Sequence, residues 1–308
     1  MLRTFFVRLS ENPTIRRFAE RSSVGRRVSG RFVAGTEIAD AVRATQTVNR
    51  SGISVTIDNL GENVTNPEEA RHSAQLYQQI LDAIVTNHLD ANISLKLTHM
   101  GLDVDEDLAR EIVSSLVAKA ASMNPPGFVR VDMEGSPYTQ RTLDFVHELH
   151  RMPGNAKSVG TVIQAYLKRS EADVEKLLAE GIRIRLCKGA YKESPDIAFA
   201  AKADVDANYV KLMKTLMKSG IYHGLATHDE AIVRQAQVFA TQENISRDSF
   251  EFQMLYGIRR DLQQNLVREG WRVRVYIPFG TEWYPYFMRR LGERPANVLF
   301  IARNLLRA

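Results

Sequence analysis

The sequence predicts an α/β protein built as a closed (β/α)8 barrel, and three observations predict it. Eight short, apolar, β-branched runs succeed one another along the chain, and amphipathic helical segments fill the intervals between them. No run is followed by a Gly-x-Gly-x-x-Gly turn. Strict alternation of strand and helix argues for a parallel sheet with crossover helices. Eight such units over about 250 residues favour a closed barrel over an open doubly wound sheet. The missing glycine turn counts against a Rossmann sheet as well.

Taken in order, residues 1–50 read as an N-terminal helical arm and 51–308 as the barrel. The first 31 residues of the arm are basic: Arg3, Arg8, Arg16, Arg17, Arg21, Arg26, Arg27 and Arg31 face only Glu11 and Glu20. A packed arm, a contact with anionic membrane and a transit peptide compete here. Leu2, Phe5, Phe6 and Leu9 recur at helical spacing, which favours packing on a domain. Nucleic acid is not expected as a partner, because the basic residues lack interleaved stacking aromatics. Thr36–Val48 reads as a helix with Thr36 as its N-cap and Ile38, Ala41, Val42 and Thr45 on one face. The eight strand runs are Ile53–Asp58, Ile93–Thr98, Phe128–Met133, Val159–Tyr166, Ile182–Gly189, His223–His228, Phe250–Leu255 and Val273–Phe279. Helices are expected over Pro67–Thr86, Asp105–Ala121, Thr139–His150, Glu171–Ala179 and Val205–Ser219.

Composition excludes several classes. Hydrophobic residues make up 44% and charged residues 25% of 308, as in ordinary globular proteins. No apolar run reaches the roughly 18 residues that span a bilayer. A single cysteine, Cys187, rules out an intramolecular disulfide framework and multi-cysteine metal sites. The net charge of +5 is modest and concentrated in the arm.

Barrel enzymes place their chemistry at the C-terminal ends of the strands. Here all eight ends carry polar or ionisable residues. They are Asp58 and Glu62; Lys96 and Thr98; Asp132 and Glu134; Gln164; Arg185, Lys188 and Tyr191; Thr227, His228 and Asp229; Gln253; and Tyr276. Buried charges must be paired, so such a lining is unlike a packing core. After Tyr276 comes a turn and then a helix on which Tyr286, Arg289, Arg290 and Glu293 stand at i, i+3, i+4 and i+7, one shared face. Two adjacent guanidiniums offer a fork for a small carboxylate, and Glu293 can orient them.

Three chemistries suit this lining. Lys96 or Lys188 could form a Schiff base with a carbonyl substrate, as lysine aldolases do. Asp58, Glu62, Asp132 and His228 could hold a metal, but no His-x-His or His-Glu-x-x-His spacing supports that, and no metal is expected. A bound cofactor could instead supply chemistry that side chains cannot. Residue types alone leave the aldolase and the cofactor enzyme evenly placed, with a non-enzymatic basic membrane-binding protein behind them.

Leu95-Lys96-Leu-Thr98, Val131-Asp132-Met-Glu134, Arg185-Leu-Cys-Lys188-Gly-Ala-Tyr191, Ala226-Thr-His228, Phe252-Gln-Met-Leu-Tyr-Gly257 and Tyr276…Tyr286-x-x-Arg289-Arg290-x-x-Glu293 together resemble the FAD-dependent proline dehydrogenases, of the short monofunctional bacterial type. The resemblance extends over essentially the whole chain. It implies a distorted TIM-like barrel holding non-covalent FAD and oxidising L-proline to Δ1-pyrroline-5-carboxylate, the first step of proline catabolism. By this likeness Arg289 and Arg290 grip the proline carboxylate with Lys96 as a further ionic partner, and Asp132 pairs with or orients Lys96 and closes the far side of the pocket. Tyr276, Tyr286 and Leu255 shape the pocket, and Arg185 lies at the reactive edge of the flavin. Met133, Gln164, Lys188, Gly189, Ala190, Tyr191, Thr227, His228, Gln253 and Glu293 are implied to hold or line the cofactor. Cys187 stands where an aliphatic residue is expected and reads as a small buried side chain. The likeness further implies a quinone-type acceptor, a cytoplasmic enzyme in peripheral contact with the inner membrane, and a separate pyrroline-5-carboxylate dehydrogenase as a candidate partner.

Overall fold

A computed structural model describes residues 29–293; for Arg289 to Glu293 it describes the backbone alone. Eight parallel strands close on themselves in chain order. They are β1 (Ser54–Asn59), β2 (Ala91–Leu95), β3 (Val129–Val131), β4 (Val159–Gln164), β5 (Arg183–Cys187), β6 (His223–Ala226), β7 (Phe250–Leu255) and β8 (Val273–Phe279). Closure is made by β1 against β8, with Thr56 beside Tyr276 and Asp58 beside Pro278. The eight-strand reading and the barrel therefore hold.

Among the described residues, α1 (Ile38–Asn49) precedes the barrel and the other helices alternate with its strands: α2 (Pro67–Thr86), α3 (Glu106–Ser122), α4 (Ser136–Arg151), α5 (Ser170–Ala179), α6 (Lys202–Lys218), α7 (Glu230–Gln242), α8 (Arg260–Arg268) and α9 (Trp283–Glu293). Their starts are written in the sequence. Asn66 caps α2 by accepting from the Glu69 amide at 2.9 Å, with Pro67 in the first turn. Asp105 does the same for α3 through the Leu108 amide at 3.1 Å. The expected cap at Thr36 is corrected: Glu37 is the N-cap residue of α1. Asp40, one turn in, accepts the amides of Thr36 and Glu37, each at 3.1 Å. A carboxylate in the first turn satisfies two orphan donors, which a single threonine hydroxyl does not.

Packing follows strand alternation. Val55, Ile57, Val273, Val275 and Ile277 are buried in one continuous core with helix residues such as Ala70, Ile80, Leu116 and Leu262. Their alternates Thr56, Asp58, Arg274 and Tyr276 face the barrel interior, where Thr56 Oγ1 donates to Asn92 Oδ1 at 2.6 Å. The core is thus a sleeve between sheet and helices, and the interior is polar. A second, smaller cluster seats Phe32 and Val33 against Leu60, Ile258, Trp283 and Phe287. Backbone bonds fix it to the end of β8: Ala34 N to Pro278 O at 2.9 Å and Gly280 N to Gly35 O at 3.0 Å.

Candidate active site

The strand ends supply the charges. Arg185, on β5, is buried and reaches across the barrel. Its Nη1 donates to Asp132 Oδ1 at 2.7 Å and to Ser94 Oγ at 3.2 Å, and its Nε donates to Gln253 Oε1 at 2.6 Å. Tyr276 donates to the other Asp132 oxygen at 2.9 Å, and the Arg185 guanidinium carbon lies 5.2 Å from the Tyr276 ring centroid. β2, β3, β5, β7 and β8 therefore meet in one hydrogen-bonded hub. A guanidinium held on both edges keeps its orientation without a ligand.

Beside the hub lies a looser pair. Lys96 Nζ stands 3.7 Å from Asp58 Oδ1. Burial pushes the Asp58 carboxyl up to about 6, an effect that the Lys96 charge only partly offsets. Its Oδ2 has no hydrogen-bond partner among the described residues, while the Tyr77 hydroxyl is 3.3 Å from Oδ1 and 2.8 Å from the Ser94 carbonyl. Burial alone would lower the Lys96 ammonium, but Asp58, then Asp132, Glu62 and Tyr191, outweigh it and hold the lysine charged. This corrects one expectation. The ion-pair partner of Lys96 is Asp58, and Asp132 pairs with Arg185, acting on Lys96 only at a distance.

Other predicted residues sit around this centre. Gln164 donates to the Glu134 backbone carbonyl at 2.8 Å, and Met133 is buried beside it. Glu134 accepts from Thr98 Oγ1 at 2.6 Å, and burial raises its carboxyl. The ring nitrogen Nε2 of His228 accepts the Leu255 amide at 2.9 Å, and Thr227 Oγ1 accepts the Asp229 amide at 3.0 Å. Lys188 forms a separate cluster, 2.6 Å from Asp206 and 2.8 Å from Asp229. Gly189 follows with φ +121°, and a Cβ there would stand 2.2 Å from the Tyr166 ring, so only glycine fits. Ala190 and Tyr191 continue as an exposed rim. Tyr286 is buried in the smaller cluster, against which Leu255 packs. The side chains of Arg289, Arg290 and Glu293 lie outside the described residues, although the helix that carries them is present. The Cys187 thiol is pushed up to about 11 by burial, which keeps it protonated and unreactive.

Two contributors, Ser94 and Tyr77, are absent from the sequence-derived set, and Asp58 stands in it as a strand-end carboxylate without a pairing to Lys96. One signal was available. Thr56-x-Asp58 and Ser94-x-Lys96 place polar residues at i, i+2 on neighbouring strands, and the register sets Asp58 beside Ser94.

Comparison with known proteins agrees with this architecture. A family model described as proline dehydrogenase matches residues 41–303. Proline dehydrogenase 1 of Bacillus subtilis subsp. natto is 40% identical over 308 residues, all of both chains. Proline dehydrogenase of Deinococcus radiodurans is 39% identical over 302 residues, 97% of this chain and 96% of its own. Among solved structures, proline utilization A from Bdellovibrio bacteriovorus, inactivated by N-propargylglycine, superposes with a TM-score of 0.80 at 25% identity. The superposition covers 87% of this chain and 32% of that one, so the chain spans about a third of that longer protein. With a family match over most of its length and relatives of equal length, the chain belongs to the proline dehydrogenase family.

Proposed function

We propose that this proline dehydrogenase is FAD-dependent and holds L-proline at the strand ends, converting it to Δ1-pyrroline-5-carboxylate. The observation that carries the reading is the Arg185 guanidinium, fixed by Asp132, Ser94 and Gln253 at the mouth of the barrel. The residues present suit a flavin dinucleotide. A fixed guanidinium suits an electron-rich ring, and Gln164 keeps a carbonyl oxygen to offer once its amide is committed to Glu134. Gly189 brings bare backbone to an exposed rim that ends in the aromatic Tyr191. Met133, Lys188, Ala190, Thr227, His228 and Glu293 complete the set that would hold the cofactor. Lys188 would have to share its charge between Asp206, Asp229 and a phosphate.

When bound, the flavin supplies the acceptor for the hydride leaving the ring carbon next to the proline nitrogen. The chain supplies orientation and charge. Arg289 and Arg290 take the substrate carboxylate as a bidentate fork. Lys96 joins them, because its 3.7 Å contact with Asp58 leaves ammonium donors for a second carboxylate. A lysine held charged beside the substrate disfavours a protonated amine, the form that cannot lose hydride. Arg185 stabilises negative charge developing beside it. Tyr276 keeps Asp132 aligned on Arg185, and Tyr286 and Leu255 bound the space for the substrate ring.

A Schiff-base mechanism suits this site poorly. It needs a neutral amine, whereas Lys96 is held charged and Lys188 carries two ion pairs. Among the described residues no helix is long and apolar enough to cross a membrane. The electrons pass to a quinone or similar acceptor, with the basic arm as the contact to an anionic cytoplasmic membrane face. The arm from Arg3 to Arg27 lies outside the described residues, and a separate pyrroline-5-carboxylate dehydrogenase would take the product.

The test combines a spectrum with two substitutions. The purified protein should be yellow, with flavin absorption bleached by L-proline. Arg289→Met and Arg290→Met should each raise the proline KM by about one to two orders of magnitude, since a buried charge-assisted contact is worth roughly 1.5–3 kcal/mol. FAD content should change little. A colourless protein that reduces no dye with proline sinks the reading, and unchanged KM in both variants sinks the carboxylate fork.

A further inference from the structure

The opposite mouth of the barrel, at the N-terminal ends of the strands, holds an open bowl of about 450 Å³. It is formed where the loops entering β4, β5, β6 and β8 come together. Lys157, Arg183, Arg272 and Arg274 line it with Tyr222, and no carboxylate is among its lining residues. Four cations around one cavity repel one another unless something offsets them.

The offsets present are partial. Arg274 is neutralised inside the barrel by Glu251, Nε to Oε1 at 2.7 Å. Arg272 is paired with Asp248 at 2.7 Å, but both side chains are more than half exposed, where such a pair is worth little. Among the described residues Arg183 has no carboxylate within ion-pair distance. Its Nε donates to the Tyr222 carbonyl at 3.3 Å, and its guanidinium carbon lies 4.3 Å from the Phe128 ring centroid. Burial lowers its affinity for a proton, so its charge is carried at a cost. Lys157 is exposed and makes no hydrogen bond or ion pair among the described residues. Behind them Arg130, 2% exposed, stands over the same Phe128 ring at 4.6 Å and leaves its Nε without a hydrogen-bond partner.

We propose that this bowl is a second, non-catalytic site that binds a small multivalent phosphate. Two features select that class. The cations approach from several loops, which suits a tetrahedral, multiply charged anion better than one planar carboxylate. The Tyr222 ring has guanidinium carbons of Arg183 at 4.8 Å and Arg272 at 6.0 Å from its centroid. A nucleobase would therefore find the aromatic platform already taken, so recognition rests on phosphate charge. Both an inorganic phosphate and a simple phosphate ester carry this chemistry. No residue of the hub around Arg185 lines the bowl, and the link between them runs from Arg274 through Glu251 and Gln253, so the bowl is a site distinct from that of proline oxidation.

The test is calorimetric titration of the flavin-loaded, full-length protein at low ionic strength. Inorganic pyrophosphate and glycerol 3-phosphate are separate titrants and sodium chloride is the control. Using flavin-loaded protein keeps the catalytic mouth occupied. One saturable site per chain is expected for at least one of the two phosphates, and the tighter of the two identifies its source. Lys157→Glu, on an exposed loop, should weaken that binding by about tenfold or more, and Arg272→Gln by severalfold. Proline-dependent dye reduction in both variants should match the parent, showing that the fold is intact. Absence of saturable binding by either phosphate, or an affinity unchanged in Lys157→Glu, overturns the proposal.

Discussion

Two buried acid–cation pairs share the barrel interior and behave in opposite ways. In Arg274–Glu251 the contact is 2.7 Å, and Glu251 also accepts from Gln253 at 2.6 Å and from Tyr222 at 2.9 Å. Burial would raise the Glu251 carboxyl, but Arg274 and these donors outweigh it, and the acid stays below its ordinary range. In Lys96–Asp58 the contact is 3.7 Å, one carboxylate oxygen has no hydrogen-bond partner among the described residues, and the acid rises to about 6. The same residue classes in the same lumen are saturated in one case and left wanting in the other. The saturated pair holds the barrel together. In the proposed mechanism the unsaturated pair exchanges its contact for a substrate, as a perturbed group in a cleft is placed to do.

The largest effect should come from the saturated pair. Glu251→Gln leaves Arg274 buried without its counter-charge, and breaking such a pair costs about 3–5 kcal/mol. Urea unfolding of the variant should show that loss. A loss below 1 kcal/mol would break the comparison by making this pair dispensable. Lys96→Met should act on function instead. A fall in kcat/KM for proline of about a hundredfold is expected, with unfolding stability changed far less, since the loose pair contributes little. A variant that unfolds easily yet keeps its KM would reverse the two roles.

The smallest effect is in pH. Asp58 has a folded-state value above its unfolded one, so the folded state binds more protons between about pH 4 and 6. Stability therefore declines as pH rises across that window, and is unaffected by this group below it. For function the sign is reversed: in the proposed mechanism ionised Asp58 anchors the Lys96 ammonium in position, so kcat/KM should climb about tenfold through a limb near pH 6. Asp58→Asn should erase that limb, and its survival would assign it to another group.

Much of this is legible in the sequence. The eight runs found the eight strands, and alternations such as Arg274-x-Tyr276 and Glu251-x-Gln253 announce a polar lumen. Strand ends were less legible: the run Phe128–Met133 shrinks to Val129–Val131 as a strand, with Asp132 just beyond its end. The partner of Lys96 could not be read from spacing. β2 lies between β1 and β3, and both neighbours carry an aspartate near the level of Lys96. Which one pairs is settled across the barrel, by Arg185 arriving from β5 to claim Asp132. Likewise nothing local marks the bowl, since its cations come from segments as distant in sequence as Lys157 and Arg274. Thr36 misled because its hydroxyl is outcompeted by a carboxylate four residues later.

The small cluster around Phe32 and Phe287 has a consequence in time. Phe32 and Val33, ahead of β1, pack against residues of α9, beyond β8, over the rim next to the proposed substrate space. During synthesis the first part of this cluster leaves the ribosome long before its counterpart exists. The barrel strands can begin to pair in order while that apolar segment waits, but the cluster cannot form until α9 is released. If α9 carries the substrate fork as proposed, recognition is acquired only after all eight strands have been made, and a chain cut between β8 and α9 would form much of a barrel with an unfinished entrance.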